Sequence, residues 1–299
     1  MSDRLTRLPR RRRTSGASAQ AGSLALVVAA IAWLAVPAGP QRVTANQGPA
    51  PSDVATRQGR ALATRVADAR ESSGFRMRAR VVIGRENDAE HRARVLQLRF
   101  AGRREARVTR LLFQVLWPNT LKGHALVLDR APQSPVTGFL FDPPDRITAL
   151  TAASTTAPFA GSGLTIEDLA DDFWYWPDQR AGGRGKDGSR GCTMLESRPP
   201  AGSASAYALV RSCIDDRTAM PRWVDKLGPD GALVKHIAFE RRGAAESEAT
   251  IRLSMMVTGR ADVPQTRVEF LRSEREAVVD ADEFSPARLA RLGLGEPRK

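Results

Sequence analysis

The chain has 299 residues, of which 46 are lysine or arginine and 33 are aspartate or glutamate, and its formal net charge is +13. A hydrophobic content of 42% is enough for one buried core, or at most two, and does not fit wholesale disorder. Three histidines and two cysteines, far apart in sequence, exclude a multi-cysteine zinc module and an iron–sulfur protein. We expect neither a metal nor a cofactor.

The amino terminus predicts a secretory signal peptide over residues 1–45. A basic segment precedes residues 23–36, which carry no charge. As a helix this apolar run would span about 21 Å, less than the roughly 30 Å of the hydrocarbon layer. Cleavage after Ala38 or Ala45 is possible, and Ala45 is preferred because it leaves a longer polar region before the cut. The alternative is an inner-membrane anchor formed by residues 23–36.

Export limits the partners that the positive charge can attract. Without residues 1–45, the mature chain has 39 basic and 32 acidic residues, a net charge of +7. Arginine-rich coding from a GC-rich genome explains this bias, and attraction to an anionic membrane surface or partner is the functional alternative. An exported protein does not meet the chromosome, so nucleic acid is not a predicted partner.

The rest of the chain is predicted to be one mainly β domain, of the α+β kind. Residues 46–74 contain a linker and an amphipathic helix over 53–71, and the domain follows over 75–299 with a short helix near its end. Hydrophobic alternation with a period of two predicts eleven strands, at 75–84, 92–100, 107–117, 123–129, 138–141, 192–197, 206–215, 220–227, 232–240, 249–258 and 265–273. Strands at hairpin spacing favour a single antiparallel sheet, open or curled into a partial barrel.

Two helix starts are specified by capping residues. Thr165 and Asp168 have the spacing of a capping box, and Leu164 and Leu169 occupy the positions of a hydrophobic staple. The pattern predicts a helix over 166–174, ended by the following proline. A second short helix is predicted to begin at Ser285–Pro286 and to end before Gly293.

The two cysteines lie on two predicted strands that flank a segment rich in proline, glycine and serine. A hairpin folded about residues 202–203 places Cys192 opposite Cys213, within disulfide reach. Export to an oxidising compartment permits such a bond, and we predict a structural disulfide. Two buried free thiols and a redox pair are the alternatives.

The acidic cluster Glu167, Asp168, Asp171 and Asp172 is the one arrangement that suggests catalysis, because paired carboxylates perform acid–base chemistry. Acidic residues in a first helical turn are also favoured by the helix dipole. No nucleophile elbow is present, and no histidine is near in sequence. We therefore predict no catalytic residue and no enzyme, and a hydrolase would require a histidine to converge on this cluster.

Large apolar residues are numerous for a chain that is only 6% aromatic. They fill an ordinary core, or they line a partly unfilled face of a curved sheet that binds a hydrophobic ligand. The candidate ligand-binding residues are Trp117, Leu126, Leu128, Phe139, Phe141, Trp174, Trp176, Trp223 and Met255.

Three motifs resemble the outer membrane lipoprotein-sorting protein family, distant relatives of the periplasmic lipoprotein carrier of the Lol system. KGHALVL at 122–128 resembles the family's K-G-T-A-L-L strand, and GSGLTIEDL at 161–169 resembles its G-S-D-F-T-Y-E-D-L signature. WVDK at 223–226 with DGALVK at 230–235 is similar to its W-[IV]-D … D-x-x-G-x-x-x-K hairpin. The residues that match the signature are Lys122, Gly123, Gly161, Ser162, Thr165, Glu167, Asp168, Leu169 and Lys235. Gly163, Leu164 and Ile166 depart from it.

The resemblance implies a LolA-like half-barrel of about eleven strands with helices over its concave apolar face. It also implies a periplasmic carrier that binds lipid or lipoprotein acyl chains without covalent chemistry, in outer-membrane lipoprotein sorting. The helix at 166–174 would be a lid or cavity wall. An inner-membrane export complex and an outer-membrane acceptor are the implied partners, and a sensor or transporter-accessory module of the same fold is the alternative.

Overall fold

The computed structural model describes residues 53–70, 72–84, 93–187, 190–242 and 252–293. The predicted signal peptide lies outside these residues. None of the helices within them combines the length and the apolar character needed to cross a membrane.

The described residues form one antiparallel sheet of thirteen strands. The first six strands are β1 (Gly74–Ile83), β2 (Arg94–Glu105), β3 (Val108–Trp117), β4 (Ala125–Arg130), β5 (Thr137–Asp142) and β6 (Arg146–Ala149). The others are β7 (Asp178–Asp187), β8 (Arg190–Arg198), β9 (Leu209–Ile214), β10 (Pro221–Leu227), β11 (Leu233–Arg242), β12 (Arg252–Gly259) and β13 (Thr266–Arg275).

The helical elements are short except for the first. The α-helices are α1 (Asp53–Arg70), α2 (Ala152–Thr155), α3 (Ile166–Ala170) and α4 (Pro286–Gly293). Three 3₁₀ turns are Phe159–Gly161, Phe173–Tyr175 and Ala281–Phe284, of which we call Phe173–Tyr175 the aromatic turn.

Each strand pairs with its neighbours in sequence, with one exception that sets the architecture. The strands from β1 to β6 form one meander and those from β7 to β13 form another, and β1 pairs with β13 to join them. The edge strands β6 and β7 are consecutive along the chain but lie at opposite ends of the sheet. The chain between them, which we call the crossing segment (residues 150–177), therefore has to pass over the sheet. It contains α2, α3 and the aromatic turn.

The two faces of the sheet contribute to two separate hydrophobic clusters. Alternate residues such as Leu98 and Phe100 of β2 point to the inner face, where they pack with α1 and the crossing segment. The intervening Ala101, with Leu112 of β3, belongs to the outer face and packs with Phe284 and α4. The sheet thus has a separate cover on each face.

All eleven predicted strands are present, and the sequence pattern missed β6 and β7. β7 contains Gly182, Gly183 and Gly185, which are typical of a loop. In the structure, a Cβ atom at Gly185 would lie 2.6 Å from Met194 Sδ on β8. Gly182 and Gly185 therefore pack closely against Met194 within the sheet, whereas a Cβ atom at Gly183 would meet no neighbour within 4 Å.

The predicted helix over 166–174 is wrong in its length. α3 ends at Ala170 because Asp171 adopts a left-handed conformation, with φ 52°. The Arg130 guanidinium donates to the free carbonyl of Ala170 at 3.0 Å. The aromatic turn follows as a separate element. α1 and α4 agree with their predicted bounds to within a residue.

The predicted disulfide between Cys192 and Cys213 is confirmed, with an S–S distance of 2.00 Å and a Cα–Cα distance of 5.5 Å. The predicted hairpin register, with Cys192 directly opposite Cys213, is wrong. Cys213 pairs with Met194, so Cys192 is a diagonal neighbour rather than the directly opposed residue. Leu195 and Val210 of the same strands belong to the inner cluster, which places the bond on the outer face.

Candidate functional site

The inner face of the first meander is a continuous apolar surface. Leu126 and Leu128 of β4 are fully buried on it. The rings of Phe100 and Phe113 meet edge to face with centroids 5.3 Å apart, and Phe159 of the crossing segment lies 6.3 Å from Phe113. These phenylalanines were not among the predicted ligand-binding residues, since their alternation fits an ordinary core equally well.

The cover over the second meander consists of α1 and the end of the crossing segment. Leu62 and Val66 of α1 are buried in the inner cluster together with Trp174 and Trp176. The Phe173 ring centroid lies 4.1 Å from that of Trp174. α1 and the crossing segment are also joined by an ion pair between Arg70 and Asp171.

The cover lies over part of the inner face. Trp174 of the crossing segment is only 4% exposed, whereas Phe239, Met255 and Phe270 of the second meander are partly buried. A cavity of about 210 Å³ lies beside the outer cover, lined in part by Arg103 and Phe284.

The nine candidate ligand-binding residues do not share one face. Leu126, Leu128, Trp174, Trp176 and Met255 belong to or pack on the inner cluster, whereas Trp117 is 45% exposed and pairs across a bulge with Gln97, between the inner-face residues Leu96 and Leu98. Phe139, Phe141 and Trp223 lie on the outer face. The strand register decides this: Phe139 pairs with Val127 of the outer cluster, whereas Leu140 between the two phenylalanines packs on the inner cluster.

A charged cluster is buried beneath α3. Lys226 of β10 and Lys235 of β11 are register partners, and both point inward. Lys226 Nζ donates to Asp168 Oδ1 at 2.7 Å, and Lys235 Nζ donates to Asp168 Oδ2. The hydroxyl of Tyr207 donates to Asp168 Oδ1 at 2.9 Å. We call Asp168, Tyr207, Lys226 and Lys235 the ionic latch, because it ties the crossing segment to the sheet.

Burial and the neighbouring charges in the ionic latch shift the pKa values of its members. Burial alone would raise the pKa of Asp168, but the two lysines outweigh it and hold that pKa well below its usual range. Burial raises the pKa of the Tyr207 phenol, and the Asp168 charge raises it further. Burial lowers the pKa of Lys235, and the neighbouring charge of Lys226 adds to that effect.

Two more carboxylates of the crossing segment are largely buried. Burial raises the pKa of Glu167, although its carboxylate accepts hydrogen bonds from Ser205 Oγ and from the Ala206 amide. Burial also raises the pKa of Asp172. Glu167 therefore fastens α3 to the β8–β9 connection, whereas Asp171 pairs with Arg70 of α1.

The predicted capping box at the start of α3 is present. Thr165 Oγ1 accepts from the Asp168 amide at 3.2 Å, and Asp168 Oδ2 accepts from the Thr165 amide at 2.8 Å. Asp168 thus has two tasks, since the same carboxylate also binds both lysines. The capping pattern identified this residue, but Lys226 and Tyr207 were missed because only the register brings them to it.

The other signature residues shape the approaches to α3 and the β3–β4 turn. Ser162 Oγ donates to the Phe159 carbonyl at 2.8 Å, and the Gly161 carbonyl accepts from Arg94 at 2.9 Å. Leu169 packs on the inner cluster. Lys122 is exposed in the turn before β4, and Gly123 adopts a left-handed φ of 89° there.

Two polar atoms on the inner face have no partner among the residues described. They are Trp174 Nε1 in the aromatic turn and Ser212 Oγ on β9, both buried. An unpaired buried donor costs about 1–3 kcal/mol, so these atoms are available to an acceptor brought by a ligand.

The histidines do not complete a catalytic site with the acidic cluster. His124 Nδ1 lies 2.8 Å from Asp142 Oδ1, and His236 Nδ1 lies 2.5 Å from Asp225 Oδ1. Both pairs are partly exposed. The arrangement required for a hydrolase is therefore not formed by the histidines within the described ranges.

Comparison with known structures identifies the fold. The putative outer membrane lipoprotein-sorting protein domain from Vibrio parahaemolyticus matches with a TM-score of 0.67 at 16% identity, over 79% of this chain and 100% of that domain. A DUF1329 family protein from Desulfovibrio piger matches with a TM-score of 0.68 at 16% identity, over 79% and 99% of the two chains. A LolA superfamily protein from Nitrosomonas europaea gives 0.58 at 12% identity, over 76% and 97%.

Comparison by sequence gives one family. No curated protein matches the chain by sequence. Residues 109–291, more than half of the chain, match the sequence model of a family described as an uncharacterized protein. The chain therefore belongs to this uncharacterized protein family, and its fold is the LolA-like fold of the outer membrane lipoprotein-sorting proteins.

Proposed function

We propose that the protein is a periplasmic carrier that binds acyl chains of a lipid or lipoprotein on the inner face of its sheet, without covalent chemistry. The observation that carries the proposal is the way this face is covered. A single chain segment and one helix, rather than a second sheet, exclude water from an apolar surface that extends across both meanders.

The free energy gained by burying an acyl chain is close to the free energy lost when the cover's side chains are displaced. Each buried CH₂ contributes about 0.8 kcal/mol, so an acyl chain gains by entering while the displaced aromatic and aliphatic side chains lose a similar amount. The small difference suits a carrier, which has to release its cargo. Trp174 Nε1 and Ser212 Oγ supply hydrogen-bonding atoms that an ester carbonyl or a hydroxyl group can satisfy.

The ionic latch is a suitable closure for such a cover. Buried ion pairs contribute little net stability, because desolvation offsets much of their attraction. When α3 lifts, water solvates Asp168, Lys226 and Lys235, and part of the lost attraction is recovered. An apolar contact of the same size has no such compensation.

Titration with a fluorescent acyl probe, dansylundecanoic acid, tests the proposal. We expect saturable binding to the wild-type protein, and faster binding to Ser205→Ala, which loses one hydrogen bond to Glu167 and so loosens α3. Asp145→Asn, at an exposed turn, is the control and should bind as the wild type does. If the folded proteins take up no probe at saturating concentration, the proposal fails.

The cover of α1 and the crossing segment also favours a second candidate, a lipid-responsive regulatory module of the cell envelope. Such a module would retain its ligand, whereas a carrier passes it on. Transfer of bound probe to acceptor vesicles separates the two: a rate above that of the free probe supports the carrier, and retention supports the module.

A further inference from the structure

A row of three arginines crosses the outer face of the sheet where the two meanders meet. Arg78 of β1 is the register partner of Arg99 on β2 and of Arg272 on β13. Partners in an antiparallel ladder project from the same face, and the row is about 10 Å wide, two inter-strand spacings. We call Arg78, Arg99 and Arg272 the arginine row.

This row is costly for the fold. Like charges directly opposite each other on neighbouring strands are destabilising. Glu283, from the Ala281–Phe284 turn, accepts from Arg99 Nη1 at 3.3 Å, and it also accepts from Arg76. One carboxylate is thus shared by two guanidinium groups. Arg78 and Arg272 make no ion pair or side-chain hydrogen bond within the residues that the structure describes.

Arg99 is the member of the row whose N–H groups are buried and so cannot be satisfied by surface water alone. Its Nε and Nη2 atoms are buried and have no hydrogen-bond partner among the described residues. Burial lowers the pKa of Arg99, and the positive charges of Arg288, Arg76 and Arg78 lower it further. Arg78 and Arg272 are exposed, so their side chains can move aside and admit an acceptor to the Arg99 N–H groups.

An apolar residue next to the row distinguishes between possible anions. Leu271, at the bulge beside Arg272, is 57% exposed. Aliphatic side chains beside arginines suit the boundary between lipid headgroups and acyl chains, whereas a soluble phosphate or an acidic peptide gains nothing from them. Guanidinium groups bind phosphate oxygens in a bidentate manner.

We propose that the arginine row, with Leu271, docks the protein on an anionic phospholipid surface by binding lipid phosphate groups. The row lies on the face opposite to the inner cluster. Docking there leaves α1 and the crossing segment free to open, and it does not depend on the acyl-chain proposal.

Vesicle flotation tests the docking surface. The purified protein is mixed with vesicles of phosphatidylcholine alone or with an equal mixture of phosphatidylcholine and phosphatidylglycerol. We expect binding to the mixed vesicles that weakens as salt is raised. Arg78→Gln with Arg272→Gln should lower the affinity by about 30-fold, the effect of two basic residues near an anionic surface.

Arg57→Gln with Arg60→Gln is the matched control, since it removes the same charge from exposed positions on α1. It should leave most of the binding intact. Equal loss in both double variants would show that only net charge matters and would overturn the proposal. Failure to float with the mixed vesicles, together with binding of inorganic phosphate that the Arg78→Gln and Arg272→Gln double variant loses, would assign the row to a soluble phosphate and would also overturn the proposal.

Discussion

At the scale of single residues, the fold depends on one carboxylate. Asp168 closes the capping box of α3 and neutralises part of the charge of Lys226 and Lys235. The capping pattern predicted Asp168 and Thr165 from local sequence alone. Its two lysine partners lie 58 and 67 residues away, and they reach it only because β10 and β11 pair in one register beneath the crossing segment. Local sequence does not encode that position.

Replacing Asp168 by asparagine should destabilise the protein by about 3–5 kcal/mol, because two buried lysines lose their counter-ion. Chemical denaturation in urea measures this change. Asp145→Asn, on the surface, should alter stability by less than about 0.5 kcal/mol. Replacing Lys226 and Lys235 by methionine in the Asp168→Asn background should restore much of the loss. No recovery would mean that packing, rather than charge, sets the cost.

Acid stability should depend on the same carboxylate. The pKa of Asp168 is lower in the folded than in the unfolded protein, so its contribution is complete above about pH 4, the usual aspartate pKa, and is lost as the pH falls below that. Denaturation curves of wild type and Asp168→Asn should therefore converge between about pH 4 and pH 2. Parallel curves over this range would contradict the assigned ionisation.

At the scale of elements, the sequence predicted α1 correctly and missed β7. Hydrophobic periodicity located α1 correctly, since its buried side chains recur at helical spacing. β7 escaped detection because three glycines replace the side chains that would show alternation. The two facts are linked, because α1 packs directly on the backbone of β7. A Cβ atom at Gly59 would lie 2.5 Å from Arg180 Cα.

Gly59→Ala should therefore destabilise the protein, by about 1–3 kcal/mol, because the methyl group forces α1 away from β7. The sign is informative, since alanine is normally favoured over glycine in a helix by about 1 kcal/mol. Urea denaturation measures the change, and Gln58→Ala, on the exposed side of α1, serves as control. A Gly59→Ala protein as stable as wild type would exclude the close backbone contact.

At the scale of the whole molecule, the antiparallel sheet and its hairpin order were predictable, whereas the use of its two faces was not. Hydrophobic alternation shows that a strand has an apolar and a polar side. It does not show which side of the strand packs against which covering element. Phe139 and Phe141 were therefore placed with Leu126 in one predicted cleft, although they pack beneath the opposite cover. The long path of the crossing segment could not be predicted either, since it follows from β6 and β7 becoming opposite edges.

The central claim is that acyl chains bind between the inner face and its cover. Photo-cross-linking with a diazirine-bearing fatty acid, followed by peptide mass spectrometry, tests it most directly. The account predicts labels on β3, β4 and the crossing segment that are removed by competition with unlabelled fatty acid. Labels confined to outer-face peptides, such as those carrying Phe141 or Trp223, or labels that resist competition, would contradict it.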